Sequence, residues 1–196
     1  MPVDDNDVAR ILNAFRFAAE RHRDQRRKGG EASPYINHLI DVAGILWDDG
    51  GVRDIVTIEA AILHDTVEDT ETTASELREL FGEETAAVVL EVTDDKSLPK
   101  EVRKRLQVEH ADKLSPRAAL IKIADKISNI RDIVAAPPVN WNIERRRRYV
   151  MWGCDVVDRI RGLNPGLERR FDKICEIAGM SFDREEGMTT CADDAE

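Results

Sequence analysis

Apolar residues recur at helical spacing along almost the whole chain. Val8, Ile11, Leu12, Phe15 and the Ala18-Ala19 pair fall at i, i+3, i+4 and i+7. That spacing predicts one amphipathic helix over residues 4–24, which Gly29, Gly30 and Pro34 interrupt. The pattern resumes over 36–48 and stops at Gly50-Gly51. Residues 53–66 form a strongly apolar stretch, predicted as one helix running through His64 and Asp65. Thr73 with Glu76 three residues on reads as a capping box. The helix it opens ends near Phe81-Gly82, and a further helix covers 83–92. Pro99 stands near the start of a helix over about 100–111. Ser115-Pro116 supply a cap and a first-turn proline for one over 115–134. After "AAPPVN" come helices over 141–162 and 165–179. "AVVLEVT" is the best strand candidate, but it continues the helical run from Glu83. The predicted class is all-α: one compact helical domain over 1–180, without internal repeats. An acidic and polar tail over 181–196 is expected to be disordered.

Composition narrows the function. Hydrophobic residues make up 42% of the chain, enough for a core, so disorder is not the reading for the whole. A net charge of −10 excludes general binding to a nucleic-acid backbone, which needs a positive face. Two basic blocks stand out against that balance, "RHRDQRRK" at 21–28 and "ERRRRY" at 144–149. They are compatible with a small phosphorylated ligand held locally. Each block alone reads equally well as a solvated helix face. No apolar run approaches the roughly 20 residues of a membrane span, and the start lacks a signal-peptide pattern. The expectation is a cytoplasmic protein with no membrane partner. Cys154, Cys175 and Cys191 have no metal spacing, and their odd number argues for reduced thiols. Nothing in the pattern sets an oligomeric state.

The chemistry concentrates in "AAILHDTVEDT", residues 60–70, where an apolar run meets His64-Asp65 and then Glu68-Asp69. On a continuous helix His64 stacks with Glu68 and Asp65 with Asp69. A solvated helix end is the plain alternative, and a single histidine on an apolar face is more often packing than ligand. Two other positions shift that balance. His38 stands in "PYINH" at the start of an apolar helix. Asp125 stands in "LIKIADKISNI" among Ile121, Ile123, Ala124 and Ile127. A carboxylate there is costly to bury unless it is paired or ligates a cation. Its structural alternative is an ion pair with Lys122 or Lys126. Together His38, His64, Asp65 and Asp125 offer two imidazoles and two carboxylates. That set suits a divalent first-row metal such as manganese, iron, cobalt or zinc better than calcium or magnesium. The residue types alone do not name the metal.

The segments "HRDQRRK", "PYINHLIDVAGIL", "AAILHDTVEDT", "ELRELFGEE", "EVTDDKSLPKEVRKRLQVEHA" and "KIADKISNIRDI" cover roughly residues 8–160. In that order the chain resembles the HD-domain phosphohydrolases, and among them the small alarmone hydrolases of the metazoan SpoT-homologue branch. "HDTVEDT" and the pairing of "RRK" with "YINH" carry the finer resemblance. It implies a helical HD fold and metal ligands at His38, His64, Asp65 and Asp125, typically holding Mn2+. It implies a catalytic carboxylate pair at Glu68 and Asp69. Arg27 and Lys28 match residues that contact the guanine base and the phosphates. Asn129 matches a polar residue one helical turn after the last ligand. Lys100 and Tyr149 lie in segments that face the phosphate end. The implied activity is hydrolysis of guanosine tetra- and pentaphosphate at the 3′-pyrophosphate, giving GDP or GTP and pyrophosphate. About 35 residues follow the matched region, so no synthetase is expected. Two alternatives stand beside this: an HD hydrolase of another phosphorylated nucleotide such as NADPH, and a non-catalytic alarmone-binding module.

Overall fold

The computed structural model of the chain describes the backbone of residues 4–193 and the side chains of residues 4–185. In chain order its helices are α1 (Asp5–Arg21), α2 (Ile36–Asp48), α3 (Ile55–Leu63), α4 (Thr66–Asp69) and α5 (Ala74–Val92). There follow α6 (Lys100–His110), a 3-10 turn (Ala111–Lys113), α7 (Pro116–Ala135), α8 (Ile143–Asp158) and α9 (Pro165–Asp193). No β-strand occurs among the described residues, only the isolated bridges Arg26–Pro34 and Gly29–Pro138.

Side-chain caps start most of these helices. Asp4 closes a reciprocal box with Asp7 at α1. Asp54 caps α3, Thr73 caps α5, Ser115 caps α7 and Asn142 caps α8. Each accepts a hydrogen bond from an amide that the first turn leaves without an intrahelical partner. Gly82, at φ +83°, divides α5 where the apolar period breaks.

Every residue of α3 is buried, which explains why that stretch of sequence is apolar on all sides. It packs against α1, α2, α5 and α7. Helix α7 packs against α2, α5, α8 and α9, so α3 and α7 together form the middle of the molecule. A charge lies inside α3. Glu59 of α3 is 1% exposed, and Arg10 and Thr85 meet it at 2.7 and 2.6 Å. Both of those contacts fall on Oε2, and Arg10 Nε donates to Oε1 at 3.3 Å, so each oxygen is partnered, as a buried carboxylate requires.

Four elements differ from the apolar spacing, α1 among them, which stops at Arg21 and not at residue 24. The helix expected over 53–66 ends at Leu63, and α4 begins anew at Thr66. Polar side chains cause the break. Thr66 Oγ1 donates to the Leu63 carbonyl (2.7 Å) and His64 Nδ1 meets the Ala61 carbonyl (2.8 Å). These are acceptors that amides of a continuing helix would use. Helix α8 stops at Asp158, short of residue 162. Helix α9 continues well past 179, held by the basic block of α8: Arg146 pairs with Glu185, and Arg147 with Asp183 at 2.9 Å. The expected tail begins inside this helix, with Phe182 buried. What was expected for the side chains from residue 186 on, Cys191 among them, and for residues 194–196 lies outside the described residues. Cys154 and Cys175 are free thiols 3.8 Å apart between α8 and α9.

Candidate active site

The chain break at the end of α3 places two ligand-type side chains. His64 follows the last turn of α3, and Asp65 starts α4. His38 comes from the first turn of α2, and Asp125 from the middle of α7. Ligand atoms of His38, His64 and Asp65 lie within 4.8 Å of one another. Asp125 Oδ1 joins them, 3.2 Å from His38 Nε2 and 3.8 Å from His64 Nε2. Both imidazoles are almost wholly buried. Their far nitrogens are anchored: His64 Nδ1 to the Ala61 carbonyl at 2.8 Å, His38 Nδ1 to Ser128 Oγ at 3.0 Å. An anchored Nδ1–H turns the Nε2 lone pair toward the shared centre.

This donor set fits a divalent cation. His64 Nε2 is buried without a well-directed hydrogen bond although Asp65 Oδ2 stands 3.1 Å away. Burial opposes charge on His64, but Asp65 and Asp125 push its pKa up to about 10. The two carboxylates thus demand positive charge at that point, from a proton or from a metal. Two imidazoles and two carboxylates match first-row divalent metals. The ion-pair alternative for Asp125 also holds, for its other oxygen: Lys126 Nζ lies 3.0 Å from Oδ2. Lys122 instead donates to the Val92 carbonyl.

Glu68 and Asp69 sit on α4, one turn beyond, and are held by different partners. Glu68 accepts from the Asp94 amide and from Arg103, each at 3.2 Å. Burial raises its pKa, and the negative charges of Asp65 and Asp94 add to the rise. Asp69 accepts from Gln25 Nε2 at 2.9 Å and pairs with Lys96. Because the helix breaks at Asp65, the four polar residues are not stacked on one continuous face. Helix α4 is redirected, and the Asp69 amide bonds back to the Asp65 carbonyl (2.8 Å).

His64, Asp65, Asp125, Glu68 and Asp69 line one cleft of about 670 Å³, and His38 does not. Its rim is the loop 25–35, where Arg27 N bonds the Ser33 carbonyl and Tyr35 N the Gln25 carbonyl. Gly29 lets this loop approach the end of α7, since a Cβ there would stand 2.6 Å from the Ala136 carbonyl oxygen. Arg27 is 14% exposed at its side chain, bonded to Asp132 (2.7 Å) and Asn129 (2.8 Å), with its guanidinium 5.5 Å from the centre of the Tyr35 ring. On the opposite wall, Lys100 and Arg145 stand over the Trp141 ring, and Lys104 and Lys126 over that of Trp152. Burial lowers the pKa of Lys100, and Lys104, Arg145 and Lys28 lower it further by repulsion. Burial also pushes Tyr149 up to about 12 against the pull of Lys126, so its hydroxyl keeps its proton.

Residues 14–150 match the family model described as HD domain. The chain belongs to the HD-domain family. The MESH1 guanosine-3′,5′-bis(diphosphate) 3′-pyrophosphohydrolase of Xenopus tropicalis is 50% identical over 176 residues, 90% of this chain and 98% of that one. The MESH1 enzyme of Homo sapiens is 47% identical over 177 residues, 90% and 99% of the two chains. Among solved structures, a metazoan ortholog of SpoT that hydrolyzes ppGpp superposes with a TM-score of 0.82. Its identity is 46%, over 85% of this chain and 93% of that chain.

Every catalytic, metal and substrate-binding candidate named from the sequence of this HD domain lies in or against the cleft. His38, His64, Asp65 and Asp125 converge, and Glu68 and Asp69 adjoin them. Asn129 Nδ2 donates to Asp125 Oδ1 at 2.5 Å while its oxygen accepts from Arg27, so it joins the cluster to the loop. Lys28, Lys100 and Tyr149 line the walls. Sequence reasoning missed Tyr35, whose hydroxyl donates to Asp65 Oδ2 at 2.5 Å. Burial and the Asp65 charge hold that phenol well above its ordinary pKa, and so protonated. It also missed Ser128, Arg103, Lys104, Trp141 and Trp152. The basic block 144–149 divides: Arg145 faces Trp141, whereas Arg146 is buried against α9. No helical period marks that division, because it depends on where α9 returns.

Proposed function

We propose that this protein hydrolyses guanosine tetra- and pentaphosphate at the 3′-pyrophosphate, giving GDP or GTP and pyrophosphate, with a divalent metal, Mn2+ by family resemblance. The observation that carries this is one cleft joining a two-imidazole, two-carboxylate cluster to a separate carboxylate pair and a cationic, aromatic wall. The likeness to guanosine-3′,5′-bis(diphosphate) 3′-pyrophosphohydrolases over nine-tenths of the chain supports the choice of substrate.

His38, His64, Asp65 and Asp125 would hold the cation. When bound, it supplies positive charge that acidifies water and offsets the negative charge of the attacked phosphate. Glu68 and Asp69 orient the attacking water by accepting its hydrogens. Glu68, with its raised pKa, takes the proton and returns it to the departing 3′ oxygen. The P–O bond to the 3′ oxygen breaks, and the water oxygen stays with the pyrophosphate. Arg27, its plane fixed by Asp132 and Asn129, offers a face for the purine. Lys28, Lys100 and the Tyr149 hydroxyl face the phosphates. The repulsion among Lys100, Lys104 and Arg145 is relieved when an anion enters.

The test is incubation of the pure protein with guanosine tetraphosphate and Mn2+, reading pyrophosphate and GDP. Product at catalytic rates is expected, with both metal content and turnover lost in a folded His64→Ala protein. Absence of pyrophosphate from the metal-loaded wild type, or full metal stoichiometry in His64→Ala, would overturn the reading.

A further inference from the structure

His22 and Gln25 of "HRDQRRK" have no part in substrate binding as described, yet His22 is among the most buried polar groups of the molecule. His22 is 2% exposed and ends α1, its amide bonded to the carbonyls of Ala18 and Glu20. Its Nδ1 lies 2.5 Å from Gln25 Oε1, and Gln25 Nε2 lies 2.9 Å from Asp69 Oδ2. The same ring stacks on Tyr35, with centroids 4.9 Å apart and planes at 24°. Tyr35 in turn donates to Asp65. One buried imidazole therefore braces both polar arms that reach the site.

Hydrogen-bond chemistry gives this chain of contacts a single direction. A carboxylate only accepts, so the Gln25 amide must present its NH2 to Asp69 and its oxygen to His22. An amide oxygen carries no hydrogen, so His22 must present Nδ1–H. The reverse amide orientation sets oxygen against carboxylate at one end and leaves the amide nitrogen against N–H at the other. Nε2 of His22 is left buried without a partner. A buried polar atom without a partner costs free energy, and only the Nδ1–H tautomer serves Gln25.

We infer that His22 and Gln25 are positioning residues that fix the rotamer of Asp69 for the reacting water, His22 acting through Gln25. The inference rests on the role proposed above for Asp69. Removing the Gln25 link should lower kcat and leave nucleotide and metal binding alone, because its amide bonds His22 and Asp69 and no ligand atom of the cluster.

The experiment measures kcat and KM for guanosine tetraphosphate with Mn2+, metal content and Tm on the full chain. Gln25→Leu and Gln25→Glu both remove the donor, the second at nearly constant size. Each should lower kcat at least about tenfold, as displacement of a catalytic group does, with KM within about twofold. In an Asp69→Asn background the same changes should cost little more, because the relay acts through that carboxylate. His22→Phe keeps the stacked ring and loses the donor. His22→Asn loses the ring and keeps an N–H near the place of Nδ1. The relay expects kcat to rank Asn above Phe, while Tm ranks Phe above Asn. A role in packing alone puts both in the Tm order.

Kcat following Tm, or equal losses from Gln25→Leu in both backgrounds, would overturn the relay while leaving the proposed reaction standing. Wild-type turnover in Asp69→Asn alone would overturn the relay together with the role of the carboxylate pair.

Discussion

Glu68 and Asp69 are neighbours in sequence but meet different surroundings, and their test belongs at the scale of single residues. Glu68→Gln with Asp69→Asn keeps size and helical tendency close to the original while removing two negative charges. Metal content should stay full because His38, His64, Asp65 and Asp125 are intact. The value of kcat should fall by at least about 100-fold, the low end for acid–base groups. Metal content and single-turnover hydrolysis on one preparation decide it, and full metal with near-normal hydrolysis would make the pair a solvated helix end. Arg27 gives a second case. Its guanidinium is held by Asp132 and Asn129 before any ligand arrives, so it can serve ground and transition states alike. Arg27→Ala should raise KM for guanosine tetraphosphate more than it lowers kcat, and unchanged kinetics would remove the purine-platform role. Residue types announced these positions. The partners of each side chain did not follow from type: Arg103 on Glu68 and Lys96 on Asp69 come from the 94–103 region, brought over α4 by the end of α5.

At the scale of elements, α3 carries His64 to the cleft, and its opposite end depends on Asp54. That carboxylate accepts from the Thr57 amide (3.1 Å), the Thr57 hydroxyl (2.6 Å) and Arg117 (2.8 Å). Asp54→Ala should cost about 0.5–2 kcal/mol, or roughly 2–4 °C in Tm per kcal/mol in a chain this size. Burial opposes the charge, but the bonds from Thr57 and Arg117 hold the Asp54 pKa below its usual 3.8. A depressed folded-state pKa adds stability above the unfolded value and loses it as pH falls through the folded one. The gap between wild type and Asp54→Ala should therefore be full at pH 5 and narrow at pH 3. Urea melts at the two pH values measure it, and a gap that widens toward pH 3 would contradict the assignment. Most helices were legible from apolar period and capping residues, because both are local. The break at His64-Asp65 was not, because apolar period reports burial, and Thr66 beyond the break is as buried as α3 itself. The signal lay in Thr66 and His64 as side chains that compete for backbone carbonyls.

Across the whole molecule, charge is distributed against its sum. The chain carries −10 net, yet Lys28 and Lys100 line one cleft with Lys104 and Arg145 near Lys100, whose pKa is lowered by burial and further by repulsion from these cations. A polyanionic nucleotide should feel that local field, and salt screens it over about 10 Å at 0.1 M. Raising ionic strength from about 0.05 to about 0.5 M should raise KM severalfold with kcat little changed. A KM independent of salt would show that these cations do not meet the phosphates. This arrangement also separates what sequence and tertiary structure each decide. The sequence by itself determined the helical class, the donor types and the four ligand candidates. Helical period, capping chemistry and the cost of burying a carboxylate among isoleucines are properties of a residue and its near neighbours. Only the tertiary structure decided that His38, His64, Asp65 and Asp125 share one point, that Asp125 divides its oxygens between that point and Lys126, and that a loop pinned at Gly29 brings Arg27 to the cleft. Those are distances between segments as much as a hundred residues apart, fixed by how α2, α3 and α7 pack, and helical period carries no term for them.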